Sequence, residues 1–297
     1  MTRAAAHAHP MRGVLLVMLA VFLFSSMDTL AKYMLRREAY PIPPLIWARY
    51  AVHLVFMLAL LAPRMGMGLV RTQRPVLQIV RGVLLVGSTG FFYLSLSHLP
   101  LAEAAAITFV GPVLVTALSG PLLRERVSRR QWSAVALGFL GVLIIVRPGG
   151  DAFTVHAIYP LCSALLFSLY QVLTRKLAGR ENPFTTLFFT ALVGAAATSL
   201  PLPFTWQTPT LIQVPFMIGI GLLGGLGHFF LIRAVEHTSP ARLAPFVYTQ
   251  LVWSTLLAYL AFGEFPGSGS LMGMLVIVLA GMLAIDWRRM KLLPRLK

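Results

Sequence analysis

Ten stretches of this chain are long and apolar enough to cross a bilayer, and that property limits what it can fold into more than any other. They fall near residues 13–33, 44–61, 75–96, 101–123, 131–146, 155–176, 184–202, 211–233, 241–262 and 271–287. One crossing takes about 20 residues, because roughly 30 Å of hydrocarbon is spanned at about 1.5 Å per residue. Lipid offers the backbone no hydrogen-bond partner, so each stretch is expected to be a helix and the chain an all-α membrane protein. Composition agrees: 58% of residues are hydrophobic, 11% are charged and the mean hydropathy is +0.79. Soluble domains carry about a quarter charged residues.

The net charge of +16 is spread over the short connections between apolar stretches and forms no single basic face. It therefore reads as a topology signal and not as a nucleic-acid surface. Counting Lys and Arg on alternate sides places 20 of the 25, Arg81 among them, on the side of both termini. That bias predicts cytoplasmic N- and C-termini, including basic tails at 1–12 and 289–297, and supports an even number of spans. Cys162 is the single cysteine, so neither an intrachain disulfide nor a cysteine cluster for metal or redox chemistry is expected. No metal or cofactor is implied. The first apolar run is long enough to span and follows the A-x-A text, which argues against a cleaved signal peptide. There is no GxxxxGK[ST] loop, no HExxH and no serine elbow, and the connections are short. A membrane enzyme or assembly scaffold would need catalytic clusters or long loops, so neither is expected.

The second half repeats the first. Residues 96–125 lie over 235–264 at a constant shift of 139, which superposes His98 on His237, Ala102 on Ala241 and Glu125 on Glu264. The order continues with Phe24-Ser25 over Phe167-Ser168, Phe91-Phe92 over Phe229-Phe230 and Gly141 over Gly281, at shifts of 143, 138 and 140. Two units follow, 13–148 and 153–288. Five is an odd number of spans, so the second unit is expected to enter the membrane upside down, with a binding site between the copies. The competing reading is ten unrelated helices that share only an apolar composition.

This pattern resembles the drug/metabolite transporter superfamily in its ten-helix, EamA-type form, over essentially the whole chain. The resemblance rests on residues 99–108 with Pro112, on Glu125, on 131–146 with Gly138 and Gly141, and on their counterparts 239–244, Phe262-Gly263-Glu264, Gly273 and Gly281. Within the superfamily the chain looks like the YddG-type aromatic amino acid exporters of Gram-negative inner membranes. The resemblance implies outward movement of aromatic and other bulky neutral amino acids through a central cavity by alternating access. Other solutes of the superfamily, drugs or nucleotide-sugars, are the rival within transport. The second copy has Leu251 where the first has Pro112, and Pro245 earlier, so the ninth span is expected to bend at a different level.

The spans offer small residues, hydroxyls and aromatics at helical spacing. Phe22, Ser25, Ser26 and Thr29 share one face of the first span, and Ser163, Phe167, Tyr170, Gln171 and Thr174 recur along the sixth. The third and eighth spans carry Gly87 and Gly90 before Phe91-Phe92, and Gly221, Gly224, Gly225 and Gly227 before His228-Phe229-Phe230. Those glycines serve either helix packing or ligand approach. The candidate solute-binding set is Ser25, Phe91, Phe92, Thr108, Phe167, Tyr170, Gln171, His228, Phe229, Tyr248, Gln250 and Trp253. Gln171 is the candidate for a carboxylate or an amine, while Gln250 and Trp253 share a face suited to an amphiphile with a ring. Pro112 and Pro245 either kink their spans or expose a carbonyl to the cavity.

Intramembrane ionisable residues are few, and each is informative. Asp28 and Lys32 stand at i and i+4, which favours a local ion pair, with a proton-carrying role for Asp28 as the alternative. Arg49 can snorkel or pair with Asp28, and His53 is expected to be a hydrogen-bonded core residue. His228 is the histidine expected at the cavity, and with Asp28 it is a candidate for coupling transport to protons. Glu103 opens its helix, where the dipole favours a carboxylate. Glu125 and Glu264 end theirs, where arginines are expected to hold them as a clamp or gate. The partners implied are a small-molecule solute and the lipid bilayer.

Overall fold

The computed structural model describes residues 10–123, 128–146, 155–177, 180–237 and 240–284, and among them it contains helices and no strand. In chain order the helices are α1 (Pro10–Arg36), α2 (Ile42–Met65), α3 (Pro75–Leu96), α4 (Leu101–Thr108), α5 (Gly111–Leu123), α6 (Arg129–Val146), α7 (Ile158–Leu177), α8 (Pro183–Ser199), α9 (Leu202–Thr205), α10 (Gln213–His237), α11 (Pro240–Val247), α12 (Thr249–Phe262) and α13 (Ser268–Ala284). Eight segments are long and apolar enough to cross a membrane, with α4 and α5 together making one of them. Helices α8 and α13, at the seventh and tenth expected crossings, are apolar but shorter.

Helix ends follow local chemistry. Prolines occupy the first turns of α2, α3 and α8, where a missing N–H costs nothing. Asn182 caps α8 by accepting the Phe184 amide at 2.8 Å. Helix α12 ends at Gly263, whose φ of 70° belongs to the left-handed region that glycine enters without a Cβ clash. The Glu264 amide then returns to the Ala258 carbonyl at 3.3 Å, which fixes where the Glu264 side chain starts.

The bundle is built on three main helix pairs: α1 packs on α10, α3 on α7 and α6 on α13. Around them α2 lies against α10 and α8, and α8 also meets α3. Helix α5 rests on α7, α12 rests on α1, and α4 touches α12 across the middle. Exposed leucines, valines and methionines such as Leu15, Val55, Val76, Leu140, Val252 and Leu275 face outward, as a surface in contact with acyl chains requires.

The fourth and ninth spans are each interrupted, and here the structure departs from expectation. The fourth tightens at Phe109 (φ −69°, ψ 0°), where the Phe109, Val110 and Val113 amides bond three residues back at 3.0–3.2 Å. The ninth does so at Tyr248 (φ −66°, ψ −14°), with the Leu251 amide bonding Tyr248 at 3.1 Å. Phe109 and Tyr248 are related by the same shift of 139 that relates His98 to His237. The two hitches therefore lie at one level, although a different level was expected from the unmatched prolines. Pro112 falls in the first turn of α5, where it restarts a helix, and Pro245 is absorbed inside α11. Tertiary contacts, and not proline positions, set the level. A short 3₁₀ tightening within a long helix is a common mark of a hinge.

Candidate functional site

Each hitch presents a carbonyl that a serine from another helix receives. Ser25 on α1 donates to the Gln250 carbonyl at 3.3 Å, and its hydroxyl also lies 3.2 Å from that of Ser254. Ser168 on α7 donates to the Gly111 carbonyl at 3.1 Å. Both serines are fully buried. They are the pair that the sequence superposes, and their acceptors are likewise related by the shift of 139. Between them the rings of Phe109 and Tyr248 face each other at 5.5 Å. The edge of Trp253 meets Phe22 at 5.0 Å. The Tyr248 hydroxyl and Trp253 Nε1 are buried without a hydrogen-bond partner, so two polar atoms of the expected solute-binding set remain unsatisfied.

One turn along α1 from Ser25 is a layer of charge, with Asp28 buried and Arg49 half-buried. Asp28 is 5% exposed and lies in the electrostatic reach of Arg49. The two stand further apart than the 4.0 Å of a direct ion pair. The Arg49 guanidinium instead rides on the rings of Tyr50 and Tyr93, at 5.6 and 6.0 Å. Tyr50 shares a 2.9 Å hydrogen bond with Thr89, and the Tyr93 hydroxyl lies in polar reach of Arg49. His53 stacks on His228 at 6.0 Å, and His228 meets the edge of Phe24 at 4.8 Å. His53 was expected to be hydrogen-bonded; it is buried, but its Nε2 has no partner, because rings surround it.

The local pair of Asp28 with Lys32 does not form. Lys32, 1% exposed, reaches across to Glu264 and also donates to the Leu99 carbonyl at 3.1 Å. Glu264 in turn accepts the Leu101 amide at 3.2 Å, so one carboxylate ties α1, the start of α4 and the end of α12. Glu264 is thus held by a lysine and a helix N-terminus instead of by arginines. Glu103 accepts from Ser270 at 2.6 Å and adds a second tie to α13 at this end. Tyr40, in the connection after α1, donates to the Gln207 carbonyl at 2.6 Å, and burial pushes its hydroxyl above the usual tyrosine range. Glu125 lies outside the described residues.

At the opposite end Arg81, assigned by charge counting to a solvent face, is almost completely buried. It donates to Thr174 at 3.2 Å, to Thr190 at 2.5 Å, to Gln78 at 3.4 Å and to the Thr186 carbonyl. Its guanidinium lies 4.8 Å over the ring of Tyr170. Tyr170 therefore seats an arginine. The remaining candidates divide by their surroundings. Phe92 and Phe167 pack against the central apolar cluster, and Phe91 is half-buried. Phe229 belongs to a separate cluster with Phe184 and Leu187 under α8, away from the hitches. Thr108 bonds back to the Ala104 carbonyl at 2.9 Å. Gln171 is exposed, one turn beyond Phe167 on α7. An open groove of about 720 Å³ lies between Arg71, Thr72, Gln73, Arg180 and Glu181 and holds none of the candidate residues.

Sequence reasoning missed Arg81, the pair Tyr50 and Tyr93, and the partner of Lys32. For Arg81 a signal was present, since it lies six residues inside a proline-started apolar run. For the others nothing local points to the partner.

The model of the EamA-like transporter family matches residues 11–147 and again residues 155–285. Similar proteins include an S-adenosylmethionine uptake transporter of Rickettsia bellii, 30% identical over 74% of this chain and 76% of its own. A riboflavin transporter of Vibrio cholerae is 26% identical over 95% of this chain and 96% of its own. A pseudopaline exporter of Pseudomonas aeruginosa is 30% identical over 90% and 94%. A crystal structure with 22% identity superposes with a TM-score of 0.64 over 94% of this chain and 98% of that one, which speaks for the fold alone.

Proposed function

Because the chain belongs to the EamA-like transporter family, a multi-pass membrane carrier and not an enzyme, we propose that it moves a ring-bearing amphiphilic solute by alternating access between two inverted five-helix units. The units are 13–148 and 153–288. In this reading α8 and α13 complete ten crossings, and both termini lie in the cytoplasm of a bacterium with the carrier in its inner membrane. The family model's double match supports the two units. So does the exchange symmetry of the packing: α1 on α10 answers α7 on α3, α2 on α10 answers α8 on α3, and α12 on α1 answers α5 on α7. An odd number of spans per unit then requires inversion.

The observation that carries the site is the level of the two hitches, where Ser25 and Ser168 receive equivalent carbonyls and Phe109 meets Tyr248. The solute binds there, against Phe92, Phe167, Gln250 and Trp253, with His228 and Gln171 along the way to the Arg81 end and Phe91 and Thr108 on the side of the Lys32–Glu264 tie. Tyr170 and Phe229 are left out, since one seats Arg81 and the other packs beneath α8. The Lys32–Glu264 tie closes the opposite end, and Pro112 and Pro245 border the hinges. Aromatic amino acids moving outward are the first solutes to test. S-adenosylmethionine is the second reading, favoured by the name of the Rickettsia relative. Reconstituted into proteoliposomes, the protein is expected to exchange labelled L-tryptophan, and Trp253→Ala with Phe167→Ala to cut that rate at least tenfold. Exchange of S-adenosylmethionine or riboflavin without tryptophan would transfer the assignment to those solutes.

A further inference from the structure

We infer that Asp28 and Arg49 form a two-point clamp for a zwitterion, with Asp28 taking the ammonium and Arg49 the carboxylate of an α-amino acid group. The inference rests on the carrier reading above and adds the chemical group that is recognised.

Asp28 on α1 and Arg49 on α2 carry opposite charge at the same depth, yet they do not touch. Among the described residues Lys32, the nearest cation along α1, is engaged by Glu264 and the Leu99 carbonyl, so it does not neutralise Asp28. A buried ion keeps the cost of leaving water unless a partner or hydrogen bonds repay it. Direct contact would repay it, and the structure does not make that contact. Arg49 is held instead by the π-faces of Tyr50 and Tyr93, with the Tyr93 hydroxyl in reach of one of its N–H groups, and the others remain for a planar, bidentate acceptor. One further polar atom close by, His53 Nε2, is buried without a partner. Charged residues retained inside a membrane protein in this way mark solute or ion pathways.

A zwitterion completes all of it. Its ammonium supplies the cation that Asp28 lacks, and its carboxylate supplies the two acceptors that fit the Arg49 fork, within reach of the Tyr93 hydroxyl. Net charge is unchanged, so the layer gains two charge-assisted contacts without importing an uncompensated ion. Ser25 lies one turn away on α1, at the level of the hitches, so a side chain extending from the clamp runs toward Phe24, Phe22 and Trp253. That order, charged head at Asp28 and ring at Trp253, also accounts for the aromatic edge contacts on this side of α1.

The test uses three solutes that share an indole ring: L-tryptophan, tryptamine without the carboxylate, and indole-3-propionate without the ammonium. Binding is read on the full-length protein in nanodiscs, and transport in proteoliposomes with S-adenosylmethionine and riboflavin carried in parallel. The wild type is expected to prefer tryptophan to either half-ligand by roughly a hundredfold, the scale of losing one partner of a buried charge pair. Asp28→Asn erases the preference over indole-3-propionate but keeps that over tryptamine, and Arg49→Gln does the reverse. Should either variant fail to fold, Asp28→Glu and Arg49→Lys keep the charge and are expected to weaken the same preferences by about tenfold. Variants that still transport tryptophan with the wild-type ranking overturn the clamp while leaving the carrier reading intact. So does an Asp28→Asn protein that loses proton-driven transport but binds all three ligands in wild-type order, because Asp28 would then be a proton site. Transport of riboflavin with no binding of any indole or of S-adenosylmethionine, which itself carries an α-amino acid group, overturns the clamp together with the amino acid assignment.

Discussion

Two seams of this bundle occupy equivalent places and are held by different chemistry. Where α3 meets α7, Ser88 and Ser163 exchange hydrogen bonds with each other's carbonyls at 3.0 and 2.9 Å, and Arg81 binds Thr174 and covers Tyr170. Where α1 meets α10, the contacts are apolar. Phe24 fills the space over Gly227, a Cβ at Gly224 would touch Met27 Sδ at 3.0 Å, and Tyr33 stacks on Phe216 at 5.0 Å. The counterparts of Ser88 and Ser163 under the repeat shifts are Leu226 and Ala20, so the polar zipper exists on one side only. Directional bonds fix a helix pair at one register, while smooth contacts across glycine tolerate sliding. The lesson is that a duplicated fold can assign directional bonds to one copy of a seam and smooth packing to the other.

The strongest way to break this comparison is to lock each seam in turn. In a Cys162→Ala background, Leu30→Cys with Gly219→Cys, bridged by a short thiol cross-linker, is expected to abolish transport and to recover on reduction. Gly87→Cys with Leu166→Cys, bridged across α3 and α7, is expected to leave the rate within twofold. Equal inhibition by both locks would remove the distinction. Next in size, Arg81→Met strips donors from Thr174, Thr190 and the Thr186 carbonyl and is expected to cost about 3 kcal/mol, read as a large fall in Tm of the purified protein. Gly227→Ala puts a methyl group into the ring of Phe24 and is expected to cost about 1–3 kcal/mol. Its transport rate should fall further than its stability implies. Smallest is Ser88→Ala with Ser163→Ala, at about 1 kcal/mol for the pair because the two bonds belong to one reciprocal contact and are not additive, with transport unchanged. A slower transporter there would show that the polar seam moves as well.

Much of the scaffold was legible in the residues. The apolar runs gave the helices, and the ordered matches placed Ser25 against Ser168 before either was seen to receive a carbonyl. Long-range partnership was not legible. Lys32 has an acid four residues before it, and helix geometry favours that pair, yet the acid it binds is 232 positions away. Nothing in a local window says which helix will lie alongside. Arg81 was misplaced for a related reason, since charge counting treats an arginine near a helix start as solvated and cannot see threonines arriving from α7 and α8. The hitch at Tyr248 shows the same limit in the backbone: Pro245 drew attention to the wrong turn, while Ser25 and Phe109 hold the helix where it tightens.

The meeting of Phe109 with Tyr248 has a consequence for the symmetry of the bundle. A residue on a two-fold axis faces its own counterpart, so in a perfect duplicate both members would be the same and the centre would have no preferred direction. Here one ring ends in hydrogen and the other in a hydroxyl, buried toward Gly281 on α13 and unpaired. That single oxygen, turned toward α13, makes the two members of the meeting unequal, so the proposed two-fold relation between the units is broken at its centre.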